Sequence, residues 1–294
     1  MWLCVAPVRA QQESAAEEAD AFFIRRIYDE ALTNCHAWDW LWHLSEDIGG
    51  RLAGSPQAAA AVAWTRQVMD TLGFDTVWLQ PCMAPRWVRG HRDEVRVAQS
   101  ALGSFDLDAL SLGNAVGTGP EGVLAEVVEV FSLDEVDSLG EAVRGKIVFY
   151  NRPMNPRHLN TFNAYGEAVD QRVLGASRAA RYGARGVVVR SMTTRLDDVP
   201  HTGSLRYEPG VPQIPALAIS TRDAELLHDL LRKGPVTLYL HSEARILPPV
   251  QTWNVIGEIR GSEFPDEIIL VGGHLDSWDV GGGAHDDGAG CVHS

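Results

Sequence analysis

A histidine and several acidic residues lie close together near the end of the sequence. His274 follows the apolar run 268–271 and two glycines, and Asp276 comes two residues later. The run is continuous and rich in β-branched side chains, which predicts a buried strand of a parallel sheet. In open α/β sheets, ligands bind at the carboxyl ends of such strands. If the strand continues, His274 and Asp276 face the same side of it and are candidates for one site.

Two more acidic residues follow at a spacing that suits a metal site. Asp286 comes twelve residues after His274 and directly before Asp287, in a segment rich in glycine and alanine. Small residues let the backbone approach an ion closely, and a carboxylate beside a histidine fixes the imidazole tautomer. One histidine with carboxylates favours Zn²⁺, with Mn²⁺ or Co²⁺ as alternatives. His274 and Asp276 alone would also fit a strand end where the two side chains satisfy each other.

The whole segment carries a family resemblance. Residues 272–290 read G-G-H-L-D-S-W-D-V-G-G-G-A-H-D-D-G-A-G, which resembles the signature of peptidase family M28, and within it most closely that of the carboxypeptidase Q group. The resemblance implies a co-catalytic zinc exopeptidase in which His274 binds one zinc and Asp286 bridges two. It implies that Asp276 acts in catalysis by orienting the imidazole, and that the Asp286–Asp287 peptide bond is cis.

The segment departs from that group at one position. His285 stands where the group has an apolar residue. Its imidazole either adds a third nitrogen near the metals or points away from them. Neighbouring side chains of an extended loop face opposite sides, which favours the second interpretation.

The composition is that of an acidic protein with a large core. The 294 residues are 45% hydrophobic, enough for one to two domains, and carry a formal net charge of −14. This charge argues against a nucleic-acid-binding surface. No apolar run reaches the ~18 residues that a membrane span needs.

The first residues and the cysteines bear on the compartment. Residues 1–10 are mostly apolar and end in Val8-x-Ala10, which resembles the end of a secretory signal peptide and predicts a secreted or periplasmic protein. The alternative is an ordinary apolar N-terminus. Cys35 and Cys82 could pair in an oxidising compartment, but their spacing leaves this open.

Helix signals and turn signals dominate the N-terminal part. Residues 14–46 have apolar side chains at roughly helical spacing, and we expect Trp38 and Trp42 to pack in a core. Ser55, followed by proline, predicts the N-cap of a further helix. The R-L-A-G-S motif from Arg51 to Ser55 also resembles the family, and we assign both of these residues structural rather than catalytic roles.

The order of the remaining elements predicts an interrupted α/β protein. Residues 14–113 form the first part of a peptidase domain, a mixed sheet with helices on both faces, and 251–294 begin its catalytic core. Between them, 114–250 contains alternating strand and helix signals. Its motifs R-G-K-I-V, G-A-R-G-V-V-V and I-P-A-L-A-I resemble a protease-associated (PA) domain, a β-rich insert found in several M28 enzymes. Its expected role is that of a lid or spacer.

The resemblance sets the functional expectation. It implies an exopeptidase that cleaves dipeptides or short peptides with water activated by two zinc ions, with a peptide as its partner and a homodimer as an option. A sheet of this kind needs further elements after Ser294, so we expect the chain to be the N-terminal part of a longer protein. The general base and remaining ligands would then lie further on, and this chain alone would be inactive. The rival hypotheses are a non-catalytic PA and peptidase-like receptor or scaffold, and another co-catalytic zinc amidohydrolase.

Overall fold

The computed structural model describes residues 15–294. The expected signal segment, residues 1–10, lies outside the described residues. The chain divides into two compact units. Among the described residues, the first unit contains 15–82 together with Trp253–Ser294, and the second unit is Met83–Thr252. Each unit is described by itself below.

Three helices precede the first five strands, and helices and strands are then mixed along the rest of the chain. The helices are α1 (Ala15–Thr33), α2 (Ala37–Trp42), α3 (Pro56–Met69), α4 (Leu133–Leu139), α5 (Thr161–Arg181), α6 (Thr221–Leu231) and α7 (Ala289–His293). The strands are β1 (Thr76–Val88), β2 (Asp93–Gln99), β3 (Phe105–Leu107), β4 (Ala109–Ser111), β5 (Val123–Val130), β6 (Ile147–Tyr150), β7 (Gly186–Arg190), β8 (Ala216–Ile219), β9 (Thr237–Ser242) and β10 (Arg245–Glu258). Short irregular helices cover His43–Ile48, Gly140–Val143 and Ala284–Gly288. None of the helices within residues 15–294 is both long and apolar enough to cross a membrane.

The second unit is built on an eight-stranded mixed sheet. Its strand order is β3-β2-β9-β5-β6-β7-β8-β4, and the central strands β5 to β8 run parallel. Alternate residues of these strands enter two different cores. Val148 and Tyr150 face the core that includes α4 and α5, whereas Ile147 and Phe149 face the core that includes α6. Because helices cover both faces, β6, β7 and β8 are buried at every position without alternation. Strand β5 contains Glu126 and Glu129, and its first half alternates buried and exposed residues.

N-cap side chains define two helix starts in the second unit. The side chain of Ser220 accepts a hydrogen bond from the Asp223 backbone N–H and caps α6. Helix α5 begins at Thr161. Asn160 caps it by accepting from the backbone N–H of Phe162.

The start of the second unit differs from the expected domain boundary. The sequence predicts that the insert starts at Asn114, whereas the compact unit begins at Met83. The physical reason is strand pairing: β2 lies between β3 and β9 in the sheet, and Val95 and Val97 are fully buried in its core. The end of the unit at Thr252 is close to the expected residue 250. The likeness of this unit to a PA domain stays a prediction.

The first unit contains helices α1 to α3 and α7, together with residues 76–82 of β1 and 253–258 of β10. Strands β1 and β10 pair as a two-stranded sheet. Ser55 caps α3 by accepting from the backbone N–H of Ala58, with proline at the first helical position, as predicted. The expected continuous helix over 14–46 is interrupted, because α1 ends at Thr33 and α2 begins at Ala37.

Two expectations for the first unit are wrong. Trp38 and Trp42 are 68% and 56% exposed, so they do not pack in a core formed by the described residues. The run 268–271 is not a strand, and its side chains are 67–93% exposed. Within residues 15–294 no other strand hydrogen-bonds to this run, and an apolar run without neighbouring strands cannot form the buried centre of a sheet.

Candidate metal centre

The imidazole of His274 has a different carboxylate group beside each of its nitrogens. Its Nδ1 lies 3.0 Å from the main-chain oxygen of Asp276 and 3.2 Å from Oδ1 of the same residue. Its Nε2 lies 3.1 Å from Oδ1 of Asp286. When Nδ1 carries the proton and donates to Asp276, Nε2 has a free lone pair on the side of Asp286. The structure therefore brings together the three residues that the sequence singles out.

Asp286 projects from a tight turn between the glycine-rich loop, residues 281–283, and α7. Its backbone is extended (φ −123°, ψ 93°) inside the segment Ala284–Gly288, and the peptide bond to Asp287 is cis, as the resemblance implies. The Asp286 side chain is 83% exposed, compared with 54% for His274. An exposed carboxylate beside an imidazole nitrogen is open to an incoming cation. His285, on the same turn, is also exposed, and the choice between its two interpretations stays open.

Asp287 has a different environment from that of Asp286. Its Oδ2 accepts a hydrogen bond from the backbone N–H of His274 at 3.2 Å. A Cβ atom on Gly290 would lie 2.2 Å from Oδ1 of Asp287, and one on Gly273 would lie 2.7 Å from Oδ2. The carboxylate is thus packed against main chain and ties the turn to the backbone of His274. This role of Asp287 was not predicted from the sequence, although Gly273 and Gly290 are a signal for it.

Arg51 lies beneath the same loops, with its side chain fully buried. Its guanidinium donates to five main-chain carbonyl oxygens, those of Leu44, Gly49, Leu275, Gly282 and Gly283. Burial lowers the pKa of Arg51, and the neighbouring Cys291 and Asp276 oppose this shift. Arginine stays protonated under all ordinary conditions, so a positive charge is permanently held under the glycine-rich loop. The structural role predicted for Arg51 agrees with these contacts.

Charge and burial shift the pKa values of two further groups at the site, His274 and Cys291. Burial alone would lower the pKa of His274, but the Asp276 carbonyl and the carboxylates of Asp276, Asp286 and Asp287 outweigh it, so the net pKa is raised. Burial and the charge of Asp287 raise the pKa of Cys291 to about 11. The Cys291 thiol donates to the main-chain oxygen of His274 at 3.2 Å. At neutral pH and without a metal it is therefore a neutral thiol.

The donor set fits zinc. Two ligands of one tetrahedral zinc, each bonded at roughly 2.0–2.2 Å, lie about 3.4 Å apart. The 3.1 Å between His274 Nε2 and Asp286 Oδ1 is close to this separation, and a nitrogen with a carboxylate oxygen is a ligand pair that zinc accepts. Among the residues that the structure describes, no group of three or more histidine, cysteine, aspartate or glutamate side chains is arranged to hold an ion. The chain thus presents two donors at this site.

The free cysteines do not contribute a cross-link. Cys35 is exposed and Cys82 is partly exposed, and both are free thiols. The Cys82 thiol lies 3.8 Å from the side-chain oxygen of Asn254 in the adjacent strand β10. The pairing of Cys35 with Cys82 that the sequence left open is not formed.

Comparison with known proteins identifies the family. The family described as "Peptidase family M28" matches residues 254–294. Carboxypeptidase Q from Homo sapiens is 35% identical over 98% of this chain and 58% of its own length, and that from Bos taurus is 38% identical over 85% and 51%. The crystal structure of a peptidase M28 precursor from Shewanella amazonensis superposes with a TM-score of 0.85 at 34% identity, over 92% of this chain and 61% of that one. The chain belongs to peptidase family M28.

A more distant M28 neighbour supports the fold alone. The zinc aminopeptidase BSAP from Bacillus subtilis superposes with a TM-score of 0.60 at 22% identity, over 87% of this M28 chain and 55% of its own. These findings confirm the predicted family and the α/β class. The M28 chain spans about half to three fifths of the length of the curated relatives it matches. The individual roles of His274, Asp276 and Asp286 remain predictions.

Proposed function

We propose that this chain supplies part of the active site of a zinc-dependent exopeptidase that hydrolyses dipeptides or short peptides. The observation that carries the proposal is the placement of the His274 imidazole between two acidic residues, Asp276 at Nδ1 and Asp286 at Nε2. Membership of family M28 supports peptide hydrolysis over a non-catalytic receptor. The relatives are named as peptidases, which also argues against another class of amidohydrolase.

Each residue has a distinct task in this proposal. His274 and Asp286 would hold zinc, and Asp286 has a second carboxylate oxygen for a second ion. Asp276 holds the Nδ1 proton, which keeps Nε2 free to donate its lone pair. Asp287 fixes the backbone of His274 relative to the turn. When bound, zinc supplies a Lewis acid for the scissile carbonyl and a water of lowered pKa.

The wider functional assignments belong to the same proposal. We expect a peptide substrate with at least one free end, two zinc ions in the complete site, and a secreted or periplasmic location based on residues 1–10. A homodimer remains an option. The general base and the remaining zinc ligands are expected from other residues of the natural full-length protein.

Metal removal tests the proposal directly. The natural full-length protein is treated with a chelator, reloaded with Zn²⁺, and assayed on a panel of unblocked, N-acetylated and C-amidated dipeptides. We expect hydrolysis to disappear on chelation and to return with zinc, and the blocked substrates to show which free end is required. Hydrolysis that continues after complete metal removal would contradict the proposal.

A pair of variants separates the site from a general effect of charge. Asp286→Asn should reduce both zinc binding and hydrolysis by more than about 100-fold, because even residues that only orient ligands typically change metal affinity 10- to 100-fold. Asp266→Asn makes the same chemical change at an exposed acid outside the site. It should leave both quantities unchanged. Equal effects of the two variants would remove Asp286 from the zinc site.

A further inference from the structure

We infer that Arg51 is a positioning residue that sets the separation between the chain segment carrying His274 and the chain segment carrying Asp286. The inference rests on the proposed zinc function for its consequence, but its structural part stands on contacts within the first unit. Arg51 lies more than 220 residues before both segments, so no local motif links it to them.

The guanidinium contacts both segments at once. Its Nε donates to the main-chain oxygen of Leu275 at 2.6 Å, and Leu275 lies between His274 and Asp276. One terminal nitrogen donates to Gly282 at 2.6 Å, and the other reaches Gly283 at 3.3 Å. These glycines belong to the loop that leads into Asp286. A single rigid, planar group therefore joins the segment that carries His274 to the loop that leads into Asp286. These two segments are called the two limbs of the site below.

The same side chain anchors both limbs to the N-terminal part of the chain. It donates to the main-chain oxygens of Leu44 and Gly49, each at 3.0 Å. Its own backbone is paired with Ser277, since the Ser277 N–H donates to the Arg51 oxygen at 3.0 Å and the Ser277 hydroxyl accepts from the Arg51 N–H at 3.1 Å. Hydrogen bonds through Arg51 thus connect the segment 44–51 to both limbs of the site.

The space around the guanidinium is closely filled. Gly283 has a positive φ of +60°, and a Cβ added there would lie 2.2 Å from the Ser277 Cβ and 3.1 Å from a terminal nitrogen of Arg51. A Cβ on Gly282 would lie 2.6 Å from the main-chain oxygen of Ser45. The loop can approach Arg51 this closely only because these positions are glycine. A displacement of the guanidinium would therefore move the loop as well.

Only arginine offers enough donors for this arrangement. Its five N–H groups point in fixed directions and can serve several carbonyl oxygens on different sides, whereas a lysine ammonium is a single point with three donors. The carbonyl oxygens that Arg51 serves are mostly in buried or partly buried positions, where a lost donor is costly. Arg51→Lys keeps the charge but leaves some of these oxygens without a donor, which should loosen one limb relative to the other.

Arg89 provides a matched control. It is 8% exposed, lies in the second unit, donates to the main-chain oxygen of Ser111, and stacks on Trp87 with its guanidinium carbon 4.9 Å from the ring centre. Arg89→Lys therefore makes the same change at a comparable buried guanidinium of the second unit. Both variants should lower the unfolding temperature, so that a general loss of stability appears in both.

Two measurements on the natural full-length protein test the inference. The first is the Zn²⁺ dissociation constant by competition with a chromophoric chelator, which should rise about tenfold or more in Arg51→Lys and stay unchanged in Arg89→Lys. The second is amide hydrogen exchange of residues 273–288 in the metal-free protein. Exchange there should be faster in Arg51→Lys and unaltered in Arg89→Lys.

The outcomes separate this inference from the proposed function. A wild-type protein that binds no zinc would contradict the proposed function, while the exchange measurement would still decide whether Arg51 holds the two limbs. Zinc affinity and exchange at the wild-type level in Arg51→Lys would overturn the inference and leave the proposed function standing. Equal changes in both variants would show that Arg51 has a general stabilising role only.

Discussion

Two apolar runs of the molecule have similar sequences and opposite environments. Strand β7 contains Val187, Val188 and Val189, each at most 1% exposed, and lies between β6 and β8 in the sheet of the second unit. The run 268–271 is equally apolar, yet its side chains are 67–93% exposed and it forms no strand. An apolar, β-branched run forms a buried central strand only when neighbouring strands are available on both sides. The second unit provides these neighbours for β7, and the described residues of the first unit do not provide them for 268–271.

The largest expected effect is the loss of cooperative unfolding when the second unit is shortened so that some of its strands lose their neighbours. Expression of residues 83–252 should give a cooperatively unfolding protein, because the complete eight-stranded sheet and both cores lie inside this range. Residues 114–250 should fail to unfold cooperatively, since they lack β2 to β4 and leave β9 without a partner on one side. Thermal unfolding followed by circular dichroism distinguishes the two products. A shorter product as stable as the longer one would contradict the boundary at Met83.

A second prediction compares the two runs directly by the same substitution. Val188→Ala should destabilise the 294-residue chain by about 2 to 3 kcal/mol, because it removes two buried methyl groups from a closely packed core. Val271→Ala should change stability by less than about 0.5 kcal/mol, since Val271 is 67% exposed. Urea unfolding of both variants measures the difference. Similar losses in both would mean that the run 268–271 is buried in solution.

The smallest expected effect tests the depth of burial in the second unit. Burial raises the pKa of Tyr207 to about 12, although a hydrogen bond from the Val116 backbone opposes the shift. The folded state favours the neutral phenol, so this contribution to stability is complete below about pH 10 and is lost as the pH rises towards 12. The expected loss between pH 9 and 11.5 is about 1 to 2 kcal/mol. Tyr207→Phe should show a smaller loss over this interval.

The exposed Tyr28 gives the control for the alkaline loss. Tyr28 is 66% exposed on α1, so Tyr28→Phe should keep the wild-type dependence on pH. The measurement is the urea midpoint of each variant at the two pH values. If Tyr207→Phe loses as much stability as the wild type, then ionisation of Tyr207 does not drive the alkaline loss.

Local signals predicted more of the fold than long-range ones. Ser55 identified the start of α3, because an N-cap acts on backbone groups only a few residues away. The pairing of β2 with β9 joins residues more than 130 positions apart, and nothing in the composition of either strand signals it. The boundary expected at Asn114 therefore fell within the chain of the second unit.

The same division holds for the candidate metal centre. His274, Asp276 and Asp286 could be selected from the sequence because metal chemistry needs their side chains and the spacing is short. Arg51 and Asp287 act on main-chain atoms, which every residue possesses, so no residue type at the other end of the contact signals them. Their contribution becomes visible only when the loops are seen in three dimensions.

The most direct test of the account is to locate bound zinc. Crystals of the natural full-length protein, grown with Zn²⁺, are measured on both sides of the zinc absorption edge to map its anomalous scattering. We predict a peak at roughly 2.0–2.2 Å from both Nε2 of His274 and a carboxylate oxygen of Asp286, with Asp276 still at Nδ1. Zinc bound away from these two residues, or no zinc at saturating concentration, would contradict the central claim that they form the metal centre.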